Sequence, residues 1–326
     1  MLLVTGGAGF IGSNVVAALN DAGRAEIVVC DALGSDGKWR NLAKRQLADI
    51  VPPAELMDWL TGRRLDAVIH LGAISETTAT DGDLVIETNF RLSMRLLDWC
   101  TAHATPLIYA SSAATYGDGA QGFSDDPALS ALKTLRPMNL YGWSKHLFDM
   151  AVAARVEKGD KLPPQWAGLK FFNVFGPNEY HKGAMTSVLA KRFDDIKSGR
   201  VVQLFKSHRE GIEDGDQRRD FIYVDDVVRV VLWLLATPSV SGLFNVGTGQ
   251  ARSFKDLVLS AYAALGTKPN IQYVDMPEQI RGSYQYFTQG EVDRLRGAGY
   301  NGGFTALEEA AGLYVKGYLD CADRYR

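Results

Sequence analysis

The sequence predicts an α/β fold, a doubly wound parallel sheet with a smaller C-terminal lobe, from three observations. An apolar strand, Leu2–Val4, runs into Thr5-Gly6-Gly7-Ala8-Gly9-Phe10-Ile11-Gly12, with glycines spaced by three ahead of a helical segment. Strand-like and helical stretches then alternate, as in repeated βα units with helices on both faces. Composition changes after about Asn173, where polar loops interrupt the alternation.

Each element has a reason. Gly6 lets the chain turn tightly out of the first strand, Gly9 lets backbone approach a pyrophosphate, and Gly12 lets the helix pack close to the sheet. The helix, Ile11–Ala22, offers N–H groups and a partial positive charge to phosphates. The second strand, Ile27–Asp31, ends in a carboxylate placed to meet an adenosine ribose. Further strands are expected at Ala67–Leu71, Pro106–Ala110 and Leu169–Phe172, and helices at Leu84–His103 and Tyr141–Val156. Gly199–Arg219 is polar, with an acidic, glycine-containing loop at 210–216, and a strand-like run returns at Gly242–Gly247. The expected organisation is discontinuous. Residues 1–172 with a return at about 219–250 form the dinucleotide domain, and 173–218 with 251–326 form the smaller lobe.

Of 326 residues, 46% are hydrophobic and 22% charged, ample for one large or two intimate domains. A net charge of −3 gives no electrostatic case for nucleic acid or an anionic membrane. Cys30, Cys100 and Cys321 lack metal-ligand spacing, so no metal site is expected, and widely spread free thiols suit a reducing cytoplasm. The chain opens on the dinucleotide strand, so no cleavable signal is expected ahead of the fold. No apolar run approaches the roughly 20 residues of a membrane span; Val227–Leu235 is short and interrupted by Arg229.

The chemistry centres on Tyr141-Gly142-Trp143-Ser144-Lys145. Positions i and i+4 of a helix share a face, so Tyr141 and Lys145 act together. A tyrosine with a pKa near 10 is a poor base at neutral pH, and a neighbouring ammonium is expected to lower it. Ser112 joins them from a loop at the carboxyl edge of the sheet, where ligands of parallel sheets bind.

With Asn173-Val174-Phe175-Gly176-Pro177, these motifs resemble the extended short-chain dehydrogenase/reductase superfamily, almost from end to end. The resemblance implies a Rossmann domain for NAD or NADP and a C-terminal lobe for a nucleotide-sugar. Within that superfamily, four segments are similar to the ADP-heptose 6-epimerases: Ser111–Gly117, Asn173–Gly183, Arg219–Val224 and Tyr284–Gln289. His181-Lys182-Gly183 is the most specific. The resemblance implies inversion at C6 of an ADP-linked heptose destined for the lipopolysaccharide inner core. Tyr141 and Lys182 would serve as acid–base groups on opposite faces of the reacting carbon, with Lys145 and Ser112 assisting. By the same resemblance the cofactor is lined by Gly6, Gly9, Phe10, Ile11, Gly12, Asp31, Ala32, Lys38, Leu71, Gly72, Ala73, Ile74, Ser75, Asn89, Lys145, Val174 and Lys182. The substrate is held by Ser112, Asn173, Ala184, Lys191, Phe205, Lys206, Ser207, Arg219 and Tyr284. The family also implies a homo-oligomer, a pentamer.

Several residues keep more than one reading. Lys182 is a base, a pyrophosphate clamp or a surface lysine. Arg219 is a bidentate pyrophosphate fork or an ion-pair partner of Asp220, and Tyr284 is a ligand contact or core packing. Asp31 favours NAD by repelling a 2′-phosphate, whereas Lys38 and Arg40 favour NADP; the family tends to NADP. Ala184 stands where these epimerases carry a serine, Lys191 where a histidine is often found, and the 207–217 loop is long. Other nucleotide-sugar 4-epimerases, 4,6-dehydratases and a non-catalytic NAD(P)-sensing regulator are the competing functions. Ala113-Ala114-Thr115 lacks the acidic pair of dehydratases, and the retained Tyr/Lys pair argues against a regulator.

Overall fold

A computed structural model describes residues 1–281 and 284–326. Its strands are β1 (Leu2–Thr5), β2 (Ile27–Cys30), β3 (Asp49–Val51), β4 (Ala67–His70), β5 (Leu107–Ser112), β6 (Trp166–Phe171), β7 (Asn173–Phe175), β8 (Val202–Phe205), β9 (Arg218–Tyr223), β10 (Gly242–Val246), β11 (Ala251–Ser253) and β12 (Ile271–Val274). Seven form a sheet in the order β10-β6-β5-β4-β1-β2-β3, parallel throughout. The longer helices are α1 (Phe10–Asp21), α2 (Leu92–Ala102), α3 (Leu140–Lys158), α4 (Val188–Lys197), α5 (Val224–Ala236), α6 (Phe254–Leu265) and α7 (Leu307–Tyr314).

The sheet is apolar on both faces because both are covered. Val15, Val16 and Leu19 of α1 and Val227, Val230 and Val231 of α5 pack on one face; Leu96 and Leu97 of α2 and Phe148 and Val152 of α3 pack on the other. The strand order reverses between β1 and β4, which opens a crevice at their carboxyl ends. A separate apolar cluster joins Leu189 and Phe193 of α4, Leu204 of β8, Phe221 and Tyr223 of β9, Leu257 of α6 and Tyr314 of α7.

One sequence expectation needs correction, and two strands are added. Leu84–His103 is not one helix: a turn at Gly82–Val85 and a π-helical stretch at Ile86–Arg91 precede α2. Within the polar stretch Gly199–Arg219, Val202–Phe205 forms a strand that pairs in parallel with β12. The edge strand β3 went unread; it has three residues, two of them exposed, and no apolar run to signal it. Within 219–250, β10 pairs with β6 in the central sheet, whereas β9 pairs with β7 and β11. Among the described residues no helix is long and apolar enough to cross a membrane, and no His/Cys/Asp/Glu group could hold a metal. Cys30 and Cys100 are buried, and burial pushes both thiols up to about 12.

Candidate active site

The glycine loop is built as a cradle. Gly6 has φ +66°, and a Cβ there would lie 2.6 Å from Gly72 N. A Cβ on Gly12 would collide with the Gly6 carbonyl, and one on Gly9 would come within 3.0 Å of it. The bare backbone at the head of α1 fits the pyrophosphate of a dinucleotide. Asp31 lies just past β2. Its Oδ2 accepts from Ala8 N–H (2.8 Å) and its Oδ1 from Lys38 Nζ (2.6 Å), which also donates to the Ala32 carbonyl (3.1 Å). Lys38 therefore turns onto Asp31, while Arg40 is exposed beside Trp39.

The loop after β4, Leu71–Ser75, is fixed by side chains that carry no sequence motif. Gly72 N–H donates to Thr5 Oγ1 (3.0 Å), and Thr5 Oγ1 lies 2.6 Å from His70 Nδ1. His70 Nε2 lies 2.8 Å from Ser93 Oγ, whose own proton goes to the Asn89 carbonyl (2.6 Å). That last bond assigns the tautomer: Nε2 must donate to Ser93, so Nδ1 accepts from Thr5. Burial holds His70 neutral, pushed down to about 3, with Lys145 adding to the effect. Asn89 grips Ile74 twice, at its N–H (2.8 Å) and carbonyl (2.9 Å), and donates to Ser144 Oγ (2.9 Å). The π-helical stretch contains Asn89.

Tyr141 sits one residue into α3, whose N-cap Asn139 accepts from Gly142 N–H (2.8 Å). A Cβ on Gly142 would lie 2.7 Å from the Ala114 carbonyl, so α3 packs directly on the turn that follows Ser112. Lys145 is 3% exposed and donates to the Ala110 carbonyl (3.0 Å). The expected lowering of the Tyr141 pKa by Lys145 does not hold. Burial raises that phenol; a hydrogen bond with Ser112 opposes the rise and Asp149 adds to it. Lys145 is perturbed as well, lowered to about 8 by burial against the pull of Asp149.

Lys182 lies on the 3-10 turn Tyr180–Met185. Its side chain is 22% exposed, with Nζ 4.8 Å from the centroid of the Phe10 ring and 3.9 Å from Glu179 Oε2. Burial pulls its pKa down, Glu179 opposes this and Lys191 adds to it. Glu179 is buried, held by Ser187 N–H (2.8 Å) and Ser187 Oγ (2.7 Å). Lys191 Nζ donates to the Ala184 carbonyl (2.5 Å). Two asparagines, missed in the sequence, lash this segment to the nucleotide cradle. Asn41 donates to the carbonyls of Ala8 (2.9 Å) and Asn178 (3.1 Å), and Asn14 to that of Pro177 (2.9 Å).

A third cluster holds several expected substrate residues. The Arg219 guanidinium lies 5.1 Å from the Tyr284 ring and 5.6 Å from Phe254, and donates to the carbonyls of Arg218 and Gln285. Phe205 packs edge-on to Tyr284 at 6.5 Å. Asp220 does not pair with Arg219 among the described contacts; it faces the other way, taking Thr248 N–H (2.7 Å), Thr248 Oγ1 (2.7 Å), Gly249 N–H (3.0 Å) and Gly290 N–H (3.0 Å). Lys206 pairs with Asp275 (3.4 Å), and Ser207 N–H donates to Asp214 (2.7 Å). Asn173 is exposed on β7 with Val174 half-buried beside it.

The chain matches the model of the NAD dependent epimerase/dehydratase family over residues 2–247. It is 49% identical over 329 residues to an ADP-L-glycero-D-manno-heptose-6-epimerase of Nitratidesulfovibrio vulgaris, covering 100% of both chains. Its fold is similar to the crystal structure of a Helicobacter pylori ADP-L-glycero-D-manno-heptose-6-epimerase, with TM-score 0.78, 28% identity, and 97% and 95% of the two chains covered. A Thermus thermophilus UDP-glucose 4-epimerase in complex with NAD is similar at TM-score 0.75 and 26% identity, over 98% of this chain and 99% of that one.

Proposed function

Because the chain belongs to the NAD dependent epimerase/dehydratase family, we propose that its site inverts C6 of ADP-glycero-manno-heptose, from the D-glycero to the L-glycero form. The reading rests on full-length identity to a protein of that name and on one geometric observation. Tyr141, on α3, lies with Ser112 at the end of β5, and Lys182, on its 3-10 turn, lies over Phe10 at the head of α1, the helix that follows β1. Only β4 separates β5 from β1, so those strand ends stand roughly 10 Å apart. A sugar carbon between them meets one proton-exchanging group on each face.

The glycine loop Gly6–Gly12 and Asp31 would hold a nicotinamide dinucleotide, whose chemistry would be reversible hydride exchange with C6. The protein moves the hydroxyl proton. One of Tyr141 and Lys182 removes it as the carbonyl forms, and the other returns a proton after the carbonyl has turned its opposite face. Ser112, whose hydroxyl favours the ionised phenol, holds Tyr141 toward the reacting oxygen. Lys145 anchors α3 to β5 through Ala110 and carries charge near the phenol. The stacked Arg219 grips the pyrophosphate and Tyr284 the sugar-phosphate end, supported by Phe205. We assign the cofactor as NADP, because Lys38 on Asp31 offsets the charge that would repel a 2′-phosphate. The smaller lobe, 173–218 with 251–326, is assigned to substrate. A cytoplasmic setting suits three free thiols, and a homo-oligomer, a pentamer, follows from the family likeness alone.

The test is to incubate the protein with the D-glycero substrate and follow the C6 epimer ratio by NMR while monitoring reduced cofactor. The expected outcome is conversion toward equilibrium with no net reduced cofactor. Stoichiometric reduction would make the protein a dehydrogenase, and an unchanged epimer ratio would leave a 4-epimerase or a cofactor-sensing regulator.

A further inference from the structure

Behind Tyr141 and Lys145 the core holds a charge pair that belongs to neither motif. Asp149 follows Lys145 by four residues on α3, so Tyr141, Lys145 and Asp149 share one helix face. Lys170 enters from β6. Neither side chain is exposed, and Lys170 Nζ lies 3.1 Å from Asp149 Oδ2. Each partner also reaches the segment around Ser112. Ser111 Oγ donates to Asp149 Oδ2 (2.6 Å). Lys170 Nζ donates to Thr115 Oγ1 (2.6 Å), and Thr115 Oγ1 donates to the Ser112 carbonyl (2.8 Å). Lys170 Nζ further sits 4.7 Å from the Tyr116 ring centroid.

Removing two charges from water is costly, and well-packed apolar residues in place of a buried pair are often as stable or more so. Stability alone gives this core little reason to keep the charges. The groups around the pair supply one. From β5 come Tyr109 and Ser111, from the following turn Thr115 and Tyr116, and from α3 Tyr141, Lys145 and His146, with Arg136 beyond His146. Two of these are the proposed acid–base group and its lysine.

We propose that Asp149 and Lys170 are positioning residues of the acid–base centre: Asp149 sets the electrostatic field at Tyr141 and Lys145, and Lys170 holds that carboxylate and the Ser112 turn in register. The proposal rests on the reading of Tyr141 as an acid–base group. The carboxylate favours the protonated form of both neighbours, opposing the loss of charge that burial imposes on Lys145. It thereby keeps Lys145 an ammonium and Tyr141 able to give a proton back.

The test is the pH profile of kcat for the holoenzyme carrying Asp149→Asn with Lys170→Met, which leaves no unpaired charge. This double variant should fold, and the limb on which rate rises with pH should move to lower pH by at least about half a unit, worth ~0.7 kcal/mol. Lys170→Met alone removes only the positive partner and should move the limb to higher pH. Lys170→Arg should restore the parent profile. An unchanged profile in the double variant, or a double variant that does not fold, makes the pair a scaffold element and overturns the proposal. Tyr141→Phe separates the two levels. If it turns over normally, the reading of Tyr141 fails and the proposal with it; if it is inactive while the double variant's profile stays put, only the pair's role is lost.

Discussion

The two flanks of the crevice are built differently. Tyr141 stands near the start of a 19-residue helix with a side-chain N-cap, and that helix packs into the core through Phe148 and Val152. Lys182 stands on a six-residue 3-10 turn with no buried residue, kinked at Gly183, where φ is +51° and ψ −120°. Both flanks keep a buried carboxylate in reserve. Asp149 sits a full helical turn beyond Lys145, while Glu179 lies three residues before Lys182 and is tied to Ser187. One flank is therefore held by tertiary packing and the other by local hydrogen bonds and an aromatic face. In the proposed inversion, the packed flank would fix where the reacting carbon sits, and the local one would need only to meet the face that turns toward it.

The sharpest way to break this comparison is at the two proposed acid–base groups. Tyr141→Phe keeps the ring and should lower kcat by at least about a hundredfold with substrate binding little changed. Near-normal turnover would remove Tyr141 from the mechanism. Lys182→Met should also damage turnover, by roughly tenfold to a hundredfold, with cofactor and ADP-heptose still bound. Weak binding with rate recovered at high substrate would make Lys182 a phosphate clamp and leave the crevice with a single base.

The supporting glycines sharpen the contrast with smaller effects. Gly142→Ala drives a Cβ to 2.7 Å from the Ala114 backbone, so α3 and the Ser112 turn must part. Calorimetry should show a loss of about 1–3 kcal/mol, with a fall in kcat. Gly183→Ala meets no atom within 4 Å. It strains only its own backbone, on the order of 1 kcal/mol, and should lower kcat less than Gly142→Ala does. Equal effects would mean that the Lys182 turn is as tightly specified as α3.

The parts legible in the sequence are those where one residue type meets one local demand. Gly6 and Gly12 are forced by backbone approach, and Tyr141 with Lys145 by helical spacing. Ser112 could be read from its place at a strand end. What escaped notice depends on contacts distant in sequence. Thr5, His70 and Ser93 look like ordinary polar residues until the fold brings β1, β4 and α2 together. Lys170 interrupts the apolar stretch Gly168–Phe172, a signal that could have prompted a search for a buried acid, but its partner is 21 positions away on α3. Asn41 and Asn14 bind carbonyls of Pro177 and Asn178, more than a hundred residues on. The Tyr141 pKa misled for a related reason: spacing puts Lys145 on its face, but only the packed structure shows that ammonium engaged by Ala110 and the phenol desolvated.

The chain of bonds through His70 has a further consequence. Its direction is set from end to end, from the Gly72 amide to the Asn89 carbonyl, and the imidazole is 1% exposed and neutral down to about pH 3. The Nε2 proton is thus confined to one site and shielded from exchange with water. It gives the protein a native spectroscopic beacon, a downfield imidazole resonance that reports whether the Leu71–Ser75 loop is locked beneath the crevice, with no label attached to the site itself.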